Sequence, residues 1–524
     1  MCVRFLRGKR EVSAYPRPFR RAGRIGKEPP KPMRDAEKSD ALVVPMKLAN
    51  KTAHAVAEPV EGSGAIERSA GQQSTVLTQS GVAVSQALSR IRGAVTGNKS
   101  ERLTSLLHHV TVDCLRVAFF RLKKRAAPGV DGVTWEQYAA ELDSNLQGLH
   151  ARVHCGAYRA QPSRRRMIPK ADGRQRPLGI AALEDKIVQM AVVLILTPVY
   201  ESEFLGFSYG FRPGRSQHDA LDALAYAIKA RKVCWVFDAD ISRYFDTLKH
   251  DWLMRFLKHR IGDRRLLRLI QKWLKAGVMD EGQFMVTEEG TPQGSVISPL
   301  LSNVYLHYCY DLWVNRWRKH QATGDVVVIR YADDTIVGFQ HYHDALKFRT
   351  DLQHRLATFG LTLHPEKTRL IEFGKFAAER RARRGQDKPE TFNFLGFTHI
   401  CSVKQGKSGF QLMRKTRRER LQAKLQEVKA ELRRHVHASI DEQGRWLGSV
   451  IRGFFAYFAV PTNVTALSAF KARVKVLWIR RLRRRSQRHR MTWARMQLLA
   501  DKYLPAAAIR HPWPEERFRV KYSR

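Results

Sequence analysis

Paired cysteines are missing from this 524-residue chain. The six cysteines, at 2, 114, 155, 234, 309 and 401, are scattered and form no C-x-x-C pair. That argues against a zinc ribbon, a disulfide scaffold and any nuclease module held by cysteine pairs, and it fits a reducing interior. Long apolar runs are missing too. Met190 to Leu196, as long as any, is far short of the roughly 20 residues that span a bilayer. It reads as a core helix or strand, and no membrane partner is expected. The first forty residues are rich in Arg and Pro but lack the apolar stretch of a secretory signal. Acids are scarce relative to bases, 49 Asp+Glu against 93 Lys+Arg, so the formal net charge is +44. An excess of that size implies a polyanionic partner, nucleic acid above all.

What is present is enough apolar material, 44% of residues, to fill substantial cores in more than one domain. Residues 1–80 carry many Ser, Gly, Pro and Lys with little apolar periodicity and read as a basic, disordered leader, with Met33 and Met46 as alternative starts. A helical pattern begins at Val82. The stretch APGVDGVTWEQY then reads as a loop opening a helix, with Thr134 as N-cap. Strands and helices alternate to about residue 400, and beyond residue 412 the chain becomes helical and strongly basic. No repeat of fixed period recurs.

The stretch VVVIRYADDTIVGF, Val326 to Phe339, sets two acids between β-branched and aromatic runs, the pattern of strand, turn, strand. A plain hairpin turn favours Asn-Gly or Asp-Gly, and adjacent acids at a tip repel each other unless a cation or base lies between them. Taken alone, Asp333 and Asp334 fit a structural turn and a metal site equally well. A second β-rich run ending in acids, VCWVFDADISRYFD, places Asp238 and Asp240 on one side of a strand. Were this strand to pair beside the first, three carboxylates could hold two Mg²⁺ ions about 4 Å apart, since Mg²⁺ prefers oxygen ligands.

YADD (331–334) and DISRYFD (240–246) resemble the two catalytic motifs of reverse transcriptases. Other blocks follow the family's order: IPKADGRQRPLGI and FSYGFRPGRSQHDAL, then GTPQGSVISPLLSNVYL between the catalytic motifs, then GLTLHPEKTRLIEF and FNFLGF. The APGVDGVT block and the helical C-terminal region make the chain resemble, more specifically, bacterial group II intron reverse transcriptase/maturases over about residues 95–515.

The resemblance implies an α+β right-hand polymerase with fingers, palm and thumb. Its expected divisions are 1–80 leader, 81–235 N-terminal extension and fingers, 236–400 palm, 401–505 helical thumb/maturase region and 506–524 short basic tail without an endonuclease. It selects Asp240 over Asp238 as metal ligand beside Asp333 and Asp334, and it makes Lys367 the proton donor to pyrophosphate. Lys170 and Arg176 would grip the triphosphate, Phe245 would sit under the sugar and exclude a 2′-hydroxyl, and Gln293 would brace nucleotide and template. FLGF (394–397) would form the primer-grip hairpin.

Beyond the palm, Leu421, Leu425, Val428, Leu432 and Val436 mark one amphipathic helix. Phe454, Phe455, Tyr457 and Phe458 mark a second, and Leu467, Phe470, Val474, Leu477 and Trp478 a third. The aromatics read as core, leaving Arg480, Arg481, Arg483, Arg484 and Arg485 to contact RNA. Expected partners are the intron RNA, an RNA template, a DNA primer or target, and dNTPs, in the bacterial cytoplasm beside the nucleoid. The alternatives are a retron, diversity-generating or phage-defence reverse transcriptase, or a non-catalytic splicing factor on a polymerase scaffold.

Overall fold

The protein is described by a computed structural model, which covers residues 73–97, 101–169, 175–280, 282–404, 409–485 and 491–521. Its fold is α+β. Among the described residues eleven strands follow in chain order: β1 (Ser163–Pro169), β2 (Gln175–Ile180), β3 (Trp235–Ala239), β4 (Val278–Asp280), β5 (Gln283–Met285), β6 (Val326–Tyr331), β7 (Asp334–Phe339), β8 (Arg369–Glu372), β9 (Phe392–Phe394), β10 (Phe397–Val403) and β11 (Phe410–Thr416). They form three sheets, ordered β2-β1-β4-β5, β6-β7-β3-β8 and β11-β10-β9.

The middle sheet is antiparallel throughout, with the β6–β7 hairpin beside β3 and β8 on its far side. β6 is buried along all but its last residue, which is why Val326 to Ile329 are apolar without alternating. The helix Tyr342–Ala357 covers this sheet through Phe348, whose ring meets Phe237, Phe339 and Trp317 edge-on or tilted within 4.9–5.9 Å. Met190 to Leu196 lies in the buried helix Leu183–Glu201. No helix among the described residues is long and apolar enough to cross a membrane.

Several local signals read from sequence are met. Thr134 caps the helix Trp135–Ala140 in a reciprocal capping box with Gln137. FLGF forms a two-residue hairpin in which Leu395 and Gly396 both take positive φ, and the flanking Phe394 and Phe397 pair. The hairpin is held from outside, because Tyr457 donates its hydroxyl to the Leu395 carbonyl at 2.8 Å. Other boundaries shift. A helix spans Gln73–Gly97 and so crosses the expected leader boundary at residue 80, while residues 1–72 lie outside the described ones.

The C-terminal helices Arg418–Arg434, Ile440–Phe458, Val464–Arg483 and Trp493–Tyr503 enclose a core of their own, centred on Val428, Leu447, Phe455, Phe470, Val474 and Trp478. The expected aromatic core is there, with Phe454 stacked on Phe470 at 3.9 Å. Val436 lies past the end of the first helix. The fourth helix, which the periodicity did not single out, packs where Gly444 and Gly448 leave room. A Cβ on Gly444 would lie 2.5 Å from the Tyr503 ring, and one on Gly448 would lie 2.6 Å from the Tyr503 carbonyl. A final helix, Pro514–Lys521, returns to the helix Gln217–Ala230, where Asp222 forms an ion pair with Arg517 at 2.9 Å and accepts from Arg414 of β11 at 2.7 Å.

Candidate active site

β6 and β7 are joined by the shortest hairpin connection. Tyr331 pairs with Asp334, leaving Ala332 and Asp333 as the turn. Ala332 takes φ +56°, a conformation that costs a non-glycine residue about 1–3 kcal/mol and persists only where its surroundings impose it. Those surroundings are specific. A Cβ on Gly210 would lie 2.3 Å from the Ala332 nitrogen, so the 207–210 segment can press against the turn only because residue 210 is glycine. Backbone bonds tie that segment to β6, from Tyr209 N to the Arg330 carbonyl at 2.8 Å and from Arg330 N to the Phe207 carbonyl at 2.9 Å.

Behind the turn lies Arg330, fully buried. Its guanidinium forms a two-pronged bond to Asp311 at 2.7 and 2.5 Å and donates to Asn303 at 3.1 Å, to Ser208 at 2.7 Å and to the Ala332 carbonyl at 2.8 Å. Asp311 closes a single π-helical turn, His307–Asp311, set between the helices Ser298–Leu306 and Leu312–His320. Single π-turns inside α-helices are rare and occur often at functional sites. Sequence reasoning missed this network. The available signal was an arginine inside an otherwise apolar β-run, a residue that is buried only when paired.

Asp240 follows β3, and its neighbours are fixed by a short antiparallel extension. His364 N donates to the Asp240 carbonyl at 2.7 Å, and Ser242 N donates to the Thr362 carbonyl at 2.8 Å. The same extension brings up Lys367, whose Nζ lies 2.9 Å from Asp240 Oδ2. Asp333 and Asp334 both feel the Asp240 and Lys367 charges. Asp334 is exposed to water, yet protein packs closely around its carboxyl. Burial first, and then Asp333, Asp240 and Asp238, push its carboxyl above the usual range. Burial likewise raises Asp333, with Asp240 adding. Asp238 lies opposite Arg369 in the β3–β8 register; burial raises it to about 6.

The structure thus gathers Asp240, Asp333, Asp334 and Lys367 at one end of the middle sheet. It does not close the carboxylates into a finished ligand set. Among the described residues no group of three or more His, Cys, Asp or Glu side chains is close enough to hold a metal ion. The donor set still suits a hard divalent cation, being all oxygen, anionic and balanced by one ammonium.

Phe245 and Gln293 are brought into the same neighbourhood through backbone contacts. Thr291 N donates to the Phe245 carbonyl at 2.8 Å, and a Cβ on Gly290 (φ +82°) would lie 2.7 Å from that carbonyl. Phe245 is half-buried, with its ring 5.2 Å edge-on from buried Tyr244. The Gln293 carbonyl accepts from Gly179 N of β2 at 2.7 Å, which ties the 290–294 turn to the strand carrying Arg176. From beneath, buried Gln189 accepts from Ser295 Oγ at 2.7 Å and Val296 N at 3.1 Å. Lys170 lies outside the described residues.

The five arginines assigned to RNA divide. Arg481 donates to the Leu432 and Arg433 carbonyls, both at 3.1 Å, and Arg485 donates to Val436 at 2.6 Å and to Ala438. Arg483 donates to the Met491 carbonyl at 2.9 Å. These three tie chain segments together, and two of them satisfy carbonyls at and beyond the end of the helix Arg418–Arg434. Arg480 and Arg484 are exposed and make no such bond among the described residues.

Residues 168–399 match the family described as reverse transcriptase (RNA-dependent DNA polymerase). Protein YkfC of Escherichia coli (strain K12) is 40% identical over 238 residues, 40% of this chain and 62% of that one. An uncharacterized 91 kDa protein in the cob intron of Schizosaccharomyces pombe is 37% identical over 185 residues, 35% of this chain and 22% of that one. The group II intron-encoded protein LtrA of Lactococcus lactis subsp. cremoris is 34% identical over 222 residues, 42% of this chain and 37% of that one. The chain thus spans between 22% and 62% of the lengths of these relatives. Residues 168–399 of this chain thus resemble a reverse transcriptase domain, and the relatives it matches include a group II intron-encoded protein.

Proposed function

We propose that the chain is an RNA-directed DNA polymerase of the group II intron kind that also binds its intron RNA and assists splicing. The observation that carries this reading is the convergence of Asp240, Asp333, Asp334 and Lys367 at one end of the middle sheet, beside a turn held in a costly conformation. In this reading the middle sheet is the palm, the β1–β2 sheet belongs to the fingers, and the helices from Arg418 onward form the thumb and maturase region.

The three aspartates would hold divalent metal, two Mg²⁺ in the full proposal. When bound, the metal activates the primer 3′-hydroxyl and stabilises charge on the α-phosphate and pyrophosphate. Lys367, half-exposed beside Asp240, would give a proton to the departing pyrophosphate. Arg176 and Lys170 would bind the triphosphate, Arg by its planar fork and Lys as a point charge. Phe245 would fill the space of a 2′-hydroxyl, and Gln293 would brace the sugar against the template. Arg480 and Arg484 would contact intron RNA.

The test is primer extension on poly(rA)/oligo(dT) with Mg²⁺ and dNTPs. Wild-type protein should extend, and Asp333→Ala should lose extension by roughly a hundredfold or more while keeping its affinity for RNA. Extension by the variant at a tenth of the wild-type rate or better rejects the metal assignment.

A further inference from the structure

Outside the carboxylate cleft, the helices His250–Arg260 and Arg264–Lys275 form a hairpin with a groove of about 540 Å³ on its outer side. Its inner faces are fixed. Leu253, Leu257, Leu266, Leu269, Ile270 and Trp273 are buried, and the corner residue Asp263 caps the second helix. The same carboxylate accepts from Leu106 N and Leu107 N at 3.0 and 2.8 Å, which clamps the corner to the N-terminal region.

The groove is lined by Arg255, Lys258, Arg264 and Arg268, with Met254 and Leu267 forming apolar patches and Asp251 as the one acid. All four cations are exposed, and none has a hydrogen bond or ion pair among the described residues; Arg255 lies over the Trp252 ring at 4.9 Å. Arg255 and Lys258 are three apart on one helix, and Arg264 and Arg268 are four apart on the other. Each pair therefore shares a face, with side chains about 5–6 Å apart.

Four like charges converging on a concave surface repel one another, and the concavity focuses their field outward. A chain of evenly spaced anions relieves that repulsion. Arginine forks grip phosphate oxygens two at a time, and apolar patches between them suit sugar edges. We propose that this groove binds the phosphodiester backbone of a nucleic acid strand at a site separate from the primer–template cleft. The inference does not depend on the polymerase reading, since neither helix holds a residue assigned to that chemistry.

The experiment uses the full chain and labelled 20-nucleotide single strands of RNA and, separately, of DNA, with binding measured from low to high KCl. Replacing all four cations (R255Q, K258Q, R264Q, R268Q) should flatten the log–log salt slope by about 3, at roughly 0.7 per lost phosphate contact. The paired variants R255Q/K258Q and R264Q/R268Q should each flatten it by about half as much, so the test survives if the fourfold variant fails to fold. A larger change on RNA than on DNA assigns the strand to RNA, and the converse assigns it to DNA. Folded variants with an unchanged slope on both strands overturn the proposal. So does primer extension, at saturating short primer–template, that falls in parallel with binding, because the groove is then part of the cleft. Absence of extension in the wild-type protein would reject the polymerase reading and leave the salt-slope result standing.

Discussion

The region around the middle sheet and the helical region after residue 417 both rest on apolar cores, yet they use arginine in opposite ways. Around the sheet, arginines go inside. Arg330 pairs with Asp311, Arg212 with Glu201, and Arg414 with Asp222, each guanidinium almost wholly buried. In the helical region arginines stay at the rim, and Arg481, Arg483 and Arg485 bond to backbone carbonyls where helices end or segments meet. A buried pair fixes position because moving either partner strands a charge, whereas a rim arginine satisfies a carbonyl that water could also satisfy. The first region holds a strained turn in place. The second only has to keep its helices joined while showing a cationic face.

Breaking the Arg330 network should give the largest effect. Arg330→Met leaves Asp311 buried without its partner and should lower stability by about 3–5 kcal/mol in urea unfolding. Adding Asp311→Leu should return much of that stability, because the stranded charge goes. Catalysis should not return with it, since the bond to the Ala332 carbonyl is still missing. Full recovery of extension by the double variant would show that the network is only structural.

Acid should act on the sheet-centred region first. Burial, with Arg414 adding, lowers the His399 imidazole to about 3, and its stacked partner Phe392 lies 4.7 Å away. Burial also lowers His109 and His307, each to about 4. Above the unfolded value near 6.5 these rings are neutral in both states and have no pH effect. As pH falls below it the unfolded chain takes up protons that the native chain refuses, so stability drops until the native values are reached. Each fully buried ring contributes at most about 1.4 kcal/mol per pH unit in that window. Melting curves of His399→Phe from pH 7 to 4.5 should show a shallower decline than wild type, and an equal decline rejects this account.

A smaller effect is expected at Phe245, where truncation should alter selection more than stability. Phe245→Val removes part of a half-buried ring, at a cost of about 1–3 kcal/mol, and should raise the ratio of rNTP to dNTP incorporation. An unchanged ratio in an active variant makes the ring packing alone. The smallest change is expected at the rim. Arg480→Glu with Arg484→Glu should leave helicity intact and flatten the salt slope for structured RNA by roughly 0.7–0.9 per residue. Arg481→Ala with Arg485→Ala should instead lower the melting temperature with a lesser effect on the slope. If both pairs behave alike, the division of the five arginines is wrong.

Much of the site could be read directly from the residues, for local reasons. β-Branched runs ending in acids read as strands carrying carboxylates, while the pairing of β3 with β7 stayed a condition that the fold then met. The Thr134 cap and the FLGF hairpin were equally local, since each depends on residues within four positions. The division among the five arginines was not legible. Their partners are carbonyls 47–49 residues away for Arg481 and Arg485, on a helix end that no periodicity locates to one residue.

By itself, then, the sequence determined that strands and helices alternate to about residue 400, that two β-rich runs end in acids and that the chain is strongly cationic, because charge and periodicity are properties of residues in order. Only the tertiary structure decided which cations are available. Asp311 finds Arg330 across 19 positions, and Ser208 reaches it across 122, through a π-turn and a glycine that no pattern announces. The same folding leaves Arg255, Lys258, Arg264 and Arg268 around one groove, with no hydrogen-bond or ion-pair partner among the described residues. Whether an arginine is a strut or a ligand depends on which acceptors lie within about 3 Å of its fork, and that distance exists only once the chain is folded.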